Sequence, residues 1–186
     1  MTSRWEQRLS EVLRESRRLA FVGVGQDLRG DDAAGILLVR RLQQTSPGKS
    51  GLRAAPCEKP DPPPDADPTS SVPGRSTARL YFEAGLLPEA SAGPLRRFQP
   101  DWVIFLDAAE MGDPPGTVRW IEPQEIGDGS AATHTFPMGG FAGYLCAELG
   151  CRVAVLGIQP KHMEFDEPVS AEVRRAIGVI ADRIAG

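Results

Sequence analysis

Three segments of this chain are apolar without alternation, and they constrain the fold more than anything else in it: "LAFVGV" from Leu19, "WVIFLDAAE" from Trp102 and "RVAVLGI" from Arg152. A strand with one wet face alternates apolar and polar residues, whereas an unbroken, partly β-branched run fits a strand covered on both faces, as in a parallel sheet. Between these runs lie patterns of helical period. Gly35, Leu38, Val39 and Leu42 make one stripe; Met138, Phe141, Leu145 and Leu149 make a second; Val173, Ile177, Ile180 and Ile184 make a third, with Ser170 placed to cap it. "RLYFEAG" reads as a further strand, "PLRRFQP" as a short helix and "TVRWI" as an edge strand after the turn at "GDPPG". The expected class is therefore α/β, a mostly parallel twisted sheet flanked by helices on both faces.

Two stretches fall outside that alternation. Trp5, Leu9, Val12 and Leu13 recur at helical spacing among Arg and Glu, which predicts an amphipathic N-terminal helix over roughly residues 1–18, with a single α/β domain over 19–186. Between about residues 45 and 79 the chain carries eight of its seventeen prolines and few apolar residues, so a surface insertion without a core of its own is expected.

The net charge of −4 gives no broad basic surface, which argues against nucleic acid as the main partner. The charged N-terminal segment does not read as a secretory signal, and no apolar run approaches the roughly 20 residues of a membrane helix, so a cytoplasmic protein is expected. Cys57, Cys146 and Cys151 are scattered and lack zinc-knuckle spacing, which suits reduced thiols.

The loop in "FVGVGQDLRGDDAAG" resembles a phosphate loop without being one. Leu28 stands where a dinucleotide fingerprint needs a third glycine, and the Gly-Lys-Ser/Thr of a P-loop is missing. Asp31 and Asp32 sit where the next helix begins, and carboxylates there neutralise the end a phosphate would use, so the loop suits a cation better. In open α/β sheets, ligands bind beyond the carboxyl ends of the strands. Asp32 after the first strand, Asp107 closing "VIFLD" and His134 in "THTFPM" all fall at that edge; two carboxylates and an imidazole there would make an open ligand set for a divalent transition metal. Glu83 and Glu110 are expected near it as supporting or substrate contacts, and His162 as an exposed loop residue. Neither a Gly-x-Ser-x-Gly elbow nor a His-Glu-x-x-His helix occurs.

"GVGQDLRGDDAAG", the stretch from "YFEAGLLPEA" to "RWIEPQEI", "THTFPM" and "VAVLGIQP", in this order, resemble the hydrogenase maturation endopeptidases. Gln26, where that family usually has Asn, and Ala33, where Gly is common, depart from the pattern without touching the acids. The resemblance implies a three-layer α/β sandwich of phosphorylase/hydrolase-like type and a protease that removes the C-terminal peptide of the nickel-iron hydrogenase large-subunit precursor after nickel insertion. It also implies that Asp32, Asp107 and His134 are the metal-binding and catalytic trio, and that Asp31 caps or supports. The nickel is expected to arrive on the substrate, with no tightly bound cofactor of the protein's own, and the protein is expected to act as a monomer. The readings that compete are a metal-dependent hydrolase or amidase for a small molecule, and a non-catalytic binding protein for the nickel-loaded subunit.

Overall fold

The computed structural model describes residues 2–45, 77–122, 125, 132–133 and 138–186. Strands β1 (Arg18–Val24), β2 (Ala78–Gly85), β3 (Trp102–Glu110), β4 (Val118–Ile121), β5 (Ala132–Thr133) and β6 (Arg152–Ile158) alternate with helices α1 (Arg4–Glu15), α2 (Ala34–Thr45), α3 (Ala92–Phe98), α4 (Met138–Leu149) and α5 (Ala171–Ala185). The sheet order is β2-β1-β3-β6-β4. β2, β1, β3 and β6 run parallel, as the unbroken apolar runs require, and β4 closes one edge antiparallel to β6.

Side-chain parity explains how one sheet feeds two cores. Leu19, Phe21, Ile104, Leu106, Ala154 and Leu156 project to one face, where they meet Leu38 and Leu42 of α2 and Val173, Ile177 and Ile180 of α5. Ala20, Val22, Val103, Phe105, Val153 and Val155 project to the other, against Leu95 of α3 and Phe141 and Leu145 of α4. Each fully buried Leu, Ile or Phe contributes about 1.5–3 kcal/mol by leaving water. α1 joins the first of these cores: Trp5, Leu9 and Val12 are buried in it, and Leu13 packs against it. The Pro-rich segment expected between about 45 and 79 lies outside the described residues from 46 to 76; α2 runs up to it and β2 begins just beyond.

One expectation is corrected. Asp107 does not end its strand, because Ala109 and Glu110 continue β3 by pairing antiparallel with Thr133 and Ala132 of β5. The pairing of β3 with β1 nevertheless stops at Gly23↔Leu106, so Asp107 is the first residue of β3 beyond β1, while it still pairs with Gly157 of β6.

Candidate active site at the carboxyl edge of the sheet

From β1 the chain passes through α2 to β2 on one side and then returns to β3 on the other, so β1 and β3 flank the point where the strand order reverses. Such a reversal leaves a crevice at the carboxyl ends of the strands. Asp32 and Asp107 come from the two flanking segments. Asp32 lies in a single 3₁₀ turn, Gly30–Ala33, that leads into α2; Asp107 has the parity of Val103 and Phe105 and so faces the α3/α4 side.

The approach of these segments depends on positions without a side chain. A Cβ on Gly35 would lie 2.0 Å from the Leu106 carbonyl oxygen and 2.5 Å from that of Val24. A Cβ on Gly23 would lie 2.5 Å from the Gly35 carbonyl oxygen. Only glycine lets the first turn of α2 settle this deeply between β1 and β3. Gly25 has a φ of 126°, and a Cβ there would stand 1.8 Å from the main-chain oxygen of Asp32, so the loop can fold back over the acid only with glycine at this point.

Asp107 is fully buried, and neither of its carboxylate oxygens meets a well-aligned hydrogen-bond donor among the described residues. Burial pushes its pKa well above the usual carboxylate range, the nearby charge of Asp32 pushes it further, and the amide of Ala108 opposes both only in part. Asp32 is itself 2% exposed. Two close, buried acids with this bias form a pair that a proton or a cation must compensate. An orphaned oxygen pair beside a second carboxylate is a donor set that fits a divalent cation. His134, the third expected ligand, lies outside the described residues. Thr133, immediately before it, is paired with Ala109 of β3, two residues past Asp107.

Asp31, expected to cap or support, ties two loops together instead of capping the turn. It is fully buried, and its carboxylate accepts hydrogen bonds from the main-chain amides of Lys161 (2.8 Å), His162 (3.4 Å) and Ser170 (2.7 Å) in the loop joining β6 to α5. His162, expected as an exposed loop residue, instead has its Nδ1 buried against Gly30, while part of the ring remains open. Glu83 and Glu110 are both engaged within the protein. Glu83 and Asp27 together hold the Arg40 guanidinium, and Glu110 accepts from the buried Gln159 amide at 2.9 Å. Gln159, which sequence reasoning did not single out, also accepts from the amide of Met111 at 2.7 Å and so ties the end of β6 to the turn after β3. A buried amide side chain directly after a strand was the only signal available for it.

The rim of this edge is unusually apolar. Leu28, Leu86, Leu87 and Phe165 are all large, exposed side chains on the loops that leave the strand ends. Leu28 and Leu86 line an open groove of about 620 Å³ that runs past Gly25, Arg40 and Glu83.

The chain is similar in sequence and fold to known proteins. A family model described as hydrogenase maturation protease matches residues 78–186. A protein of Methanocaldococcus jannaschii provisionally named a hydrogenase maturation protease is 29% identical over 170 residues, covering 91% of this chain and 87% of its own. The hydrogenase 3 maturation protease of Escherichia coli K12 is 25% identical over 164 residues, covering 88% and 86%. The crystal structure of the NiFe hydrogenase maturation protease HycI from Thermococcus kodakarensis KOD1 superposes with a TM-score of 0.74 at 25% identity, over 96% of each chain. With more than half of its length matched by the family model and nearly all of it matched by the solved fold, the chain belongs to the hydrogenase maturation protease family.

Proposed function

We propose that this protein is an endopeptidase that removes the C-terminal peptide of a nickel-iron hydrogenase large-subunit precursor once nickel is in place. In this reading Asp32, Asp107 and His134 engage the nickel as part of the substrate, and the protein works as a monomer in the cytoplasm. Support for the two acids comes above all from the buried carboxylate of Asp107, which lies beside Asp32 and meets no well-aligned side-chain or main-chain donor among the described residues. The exposed apolar rim favours a protein substrate over a small molecule, because large side chains left in water around a polar site are characteristic of a docking surface. Among the described residues no helix is long and apolar enough to cross a membrane.

The residues divide the chemistry plainly. A carboxylate whose proton affinity has been raised by burial is a better base once ionised, so Asp107 is the group suited to take the proton from an attacking water. Asp32, across the crevice, orients that water. A divalent ion on the docked precursor would supply the positive charge that lets Asp107 ionise, and it can polarise a carbonyl or acidify a bound water. Selectivity follows, because that charge arrives only with the loaded precursor.

The decisive experiment mixes purified protein with nickel-loaded and nickel-free precursor and follows the mass of the large subunit. The loaded form should lose its C-terminal peptide and the unloaded form should stay intact; equal cutting of both would refute metal recognition. Asp107→Asn, Asp32→Asn and His134→Ala should each lower cleavage about 100-fold or more.

A further inference from the structure

We infer that Asp31 is a positioning residue for the proteolytic step, acting through Asp32 by locking the first loop to the loop between β6 and α5. This rests on the function proposed above.

Gly30–Ala33 is one turn of 3₁₀ helix, a geometry with poor internal hydrogen bonding and about 120° between successive side chains. A single such turn cannot hold its own rotational phase. Here the phase is set from outside, since Asp31 Oδ1 accepts from the Ser170 amide and Oδ2 from the amides of Lys161 and His162. The Asp31 amide in turn donates to the His162 carbonyl at 3.1 Å, and the Asp166 amide donates to the Leu28 carbonyl at 3.0 Å. Gly30, at a φ of 54°, leaves the space in which His162 presses against the turn. With Asp31 fixed, Asp32 one residue on is fixed too, turned away toward the crevice and Asp107. All three donors are main-chain amides, so the contact is independent of which side chains occupy positions 161 and 162. It depends on a carboxylate at 31, because an amide side chain would aim its own NH₂ at one of these donors.

The test is steady-state cleavage of nickel-loaded precursor by Asp31→Asn, with amide hydrogen exchange read at Lys161, His162 and Ser170. The expected result is a kcat reduced about tenfold or more with KM within about twofold, since a displacement on the order of 1 Å at a reacting group carries a cost of that size. Exchange at the three amides should accelerate in the same variant. An unchanged kcat in a folded Asp31→Asn protein overturns the inference, and so does a loss confined to KM, which would place Asp31 in docking instead. Should that variant not fold, Ser170→Pro serves: the Ser170 φ of −62° already suits proline, and the change removes the Ser170 N–H donor. It should lower kcat at constant KM, and a kcat equal to that of the parent protein overturns the inference. Failure of the underlying function reads differently, because the parent protein itself would then leave the nickel-loaded precursor uncut.

Discussion

At the residue scale, identical side chains take their chemistry from burial and neighbours. Asp31, Asp32 and Asp107 are all buried, yet Asp31 is satisfied by three amides while Asp107 has no well-aligned donor among the described residues. The first is therefore structural in its contacts, and the second is the acid proposed above to take the proton. The two described thiols divide in the same way. Cys151 is buried, its pKa is pushed up to about 11 by that burial and then by Cys146, and its thiol leans toward the Leu145 carbonyl. Cys146 is exposed. Since the thiolate is the nucleophile, iodoacetamide at pH 8 should label Cys146 at least tenfold faster than Cys151 in the folded protein. Peptide mapping after timed quenching measures the ratio, and comparable rates would show that Cys151 is not sheltered.

At the element scale, the site is assembled by how deeply α2 sinks between β1 and β3. Gly35 and Gly23 set that depth, since each would place a Cβ within 2.5 Å of a main-chain oxygen. Gly35→Ala should lift the first turn of α2, destabilise the fold by about 3 kcal/mol and lower cleavage more than tenfold, because Asp32 lies three residues upstream in the turn that feeds the helix. Urea unfolding together with cleavage of loaded precursor would check both parts. A stable variant with parental cleavage would mean that the helix depth does not set the acid pair. β5 matters at this scale as well: by pairing with Ala109 and Glu110 it carries β3 past Asp107, so the acid sits inside a strand, where its backbone cannot swing, instead of in a loose turn.

At the scale of the whole molecule, the buried acid should reduce stability. In the folded chain Asp107 holds its proton to a higher pH than in the unfolded chain. Between roughly pH 4, near an ordinary carboxylate pKa, and its raised folded value, the native state thus binds more protons than the unfolded state, and stability falls as pH rises through that window. Asp107→Asn removes the effect. It should stabilise the protein by about 1 kcal/mol or more at pH 7.5, with the gain shrinking toward pH 4, below which the unfolded chain also takes up the proton. Denaturation curves at pH 4.5 and 7.5 give the difference; a variant less stable than the parent at pH 7.5, or a gain independent of pH, would contradict the burial argument. The same substitution is expected to end cleavage, so the site is maintained at a cost in stability.

How much of this was legible in the chain follows from the range of each interaction. The parallel strands, the helices on both faces and the N-cap at Ser170 rest on local periodicity and local capping, which "VIFL", "VAVL" and the apolar stripes display directly. Edge placement of "TVRWI" was legible for the same reason, being short and preceded by a turn. Asp32 and Asp107 could be assigned to one edge because topology in α/β sheets follows from the order of elements. What the chain could not display was the division of labour between adjacent Asp31 and Asp32. That division depends on amides 130 and 139 residues away. Nor could it show that Glu83 is taken up by Arg40, that His162 presses on Gly30, or that β3 runs on past its acid. Local pattern determined which elements form and in which layers; packing between distant loops alone decided which buried carboxyls find donors, because those donors are supplied by segments far along the chain.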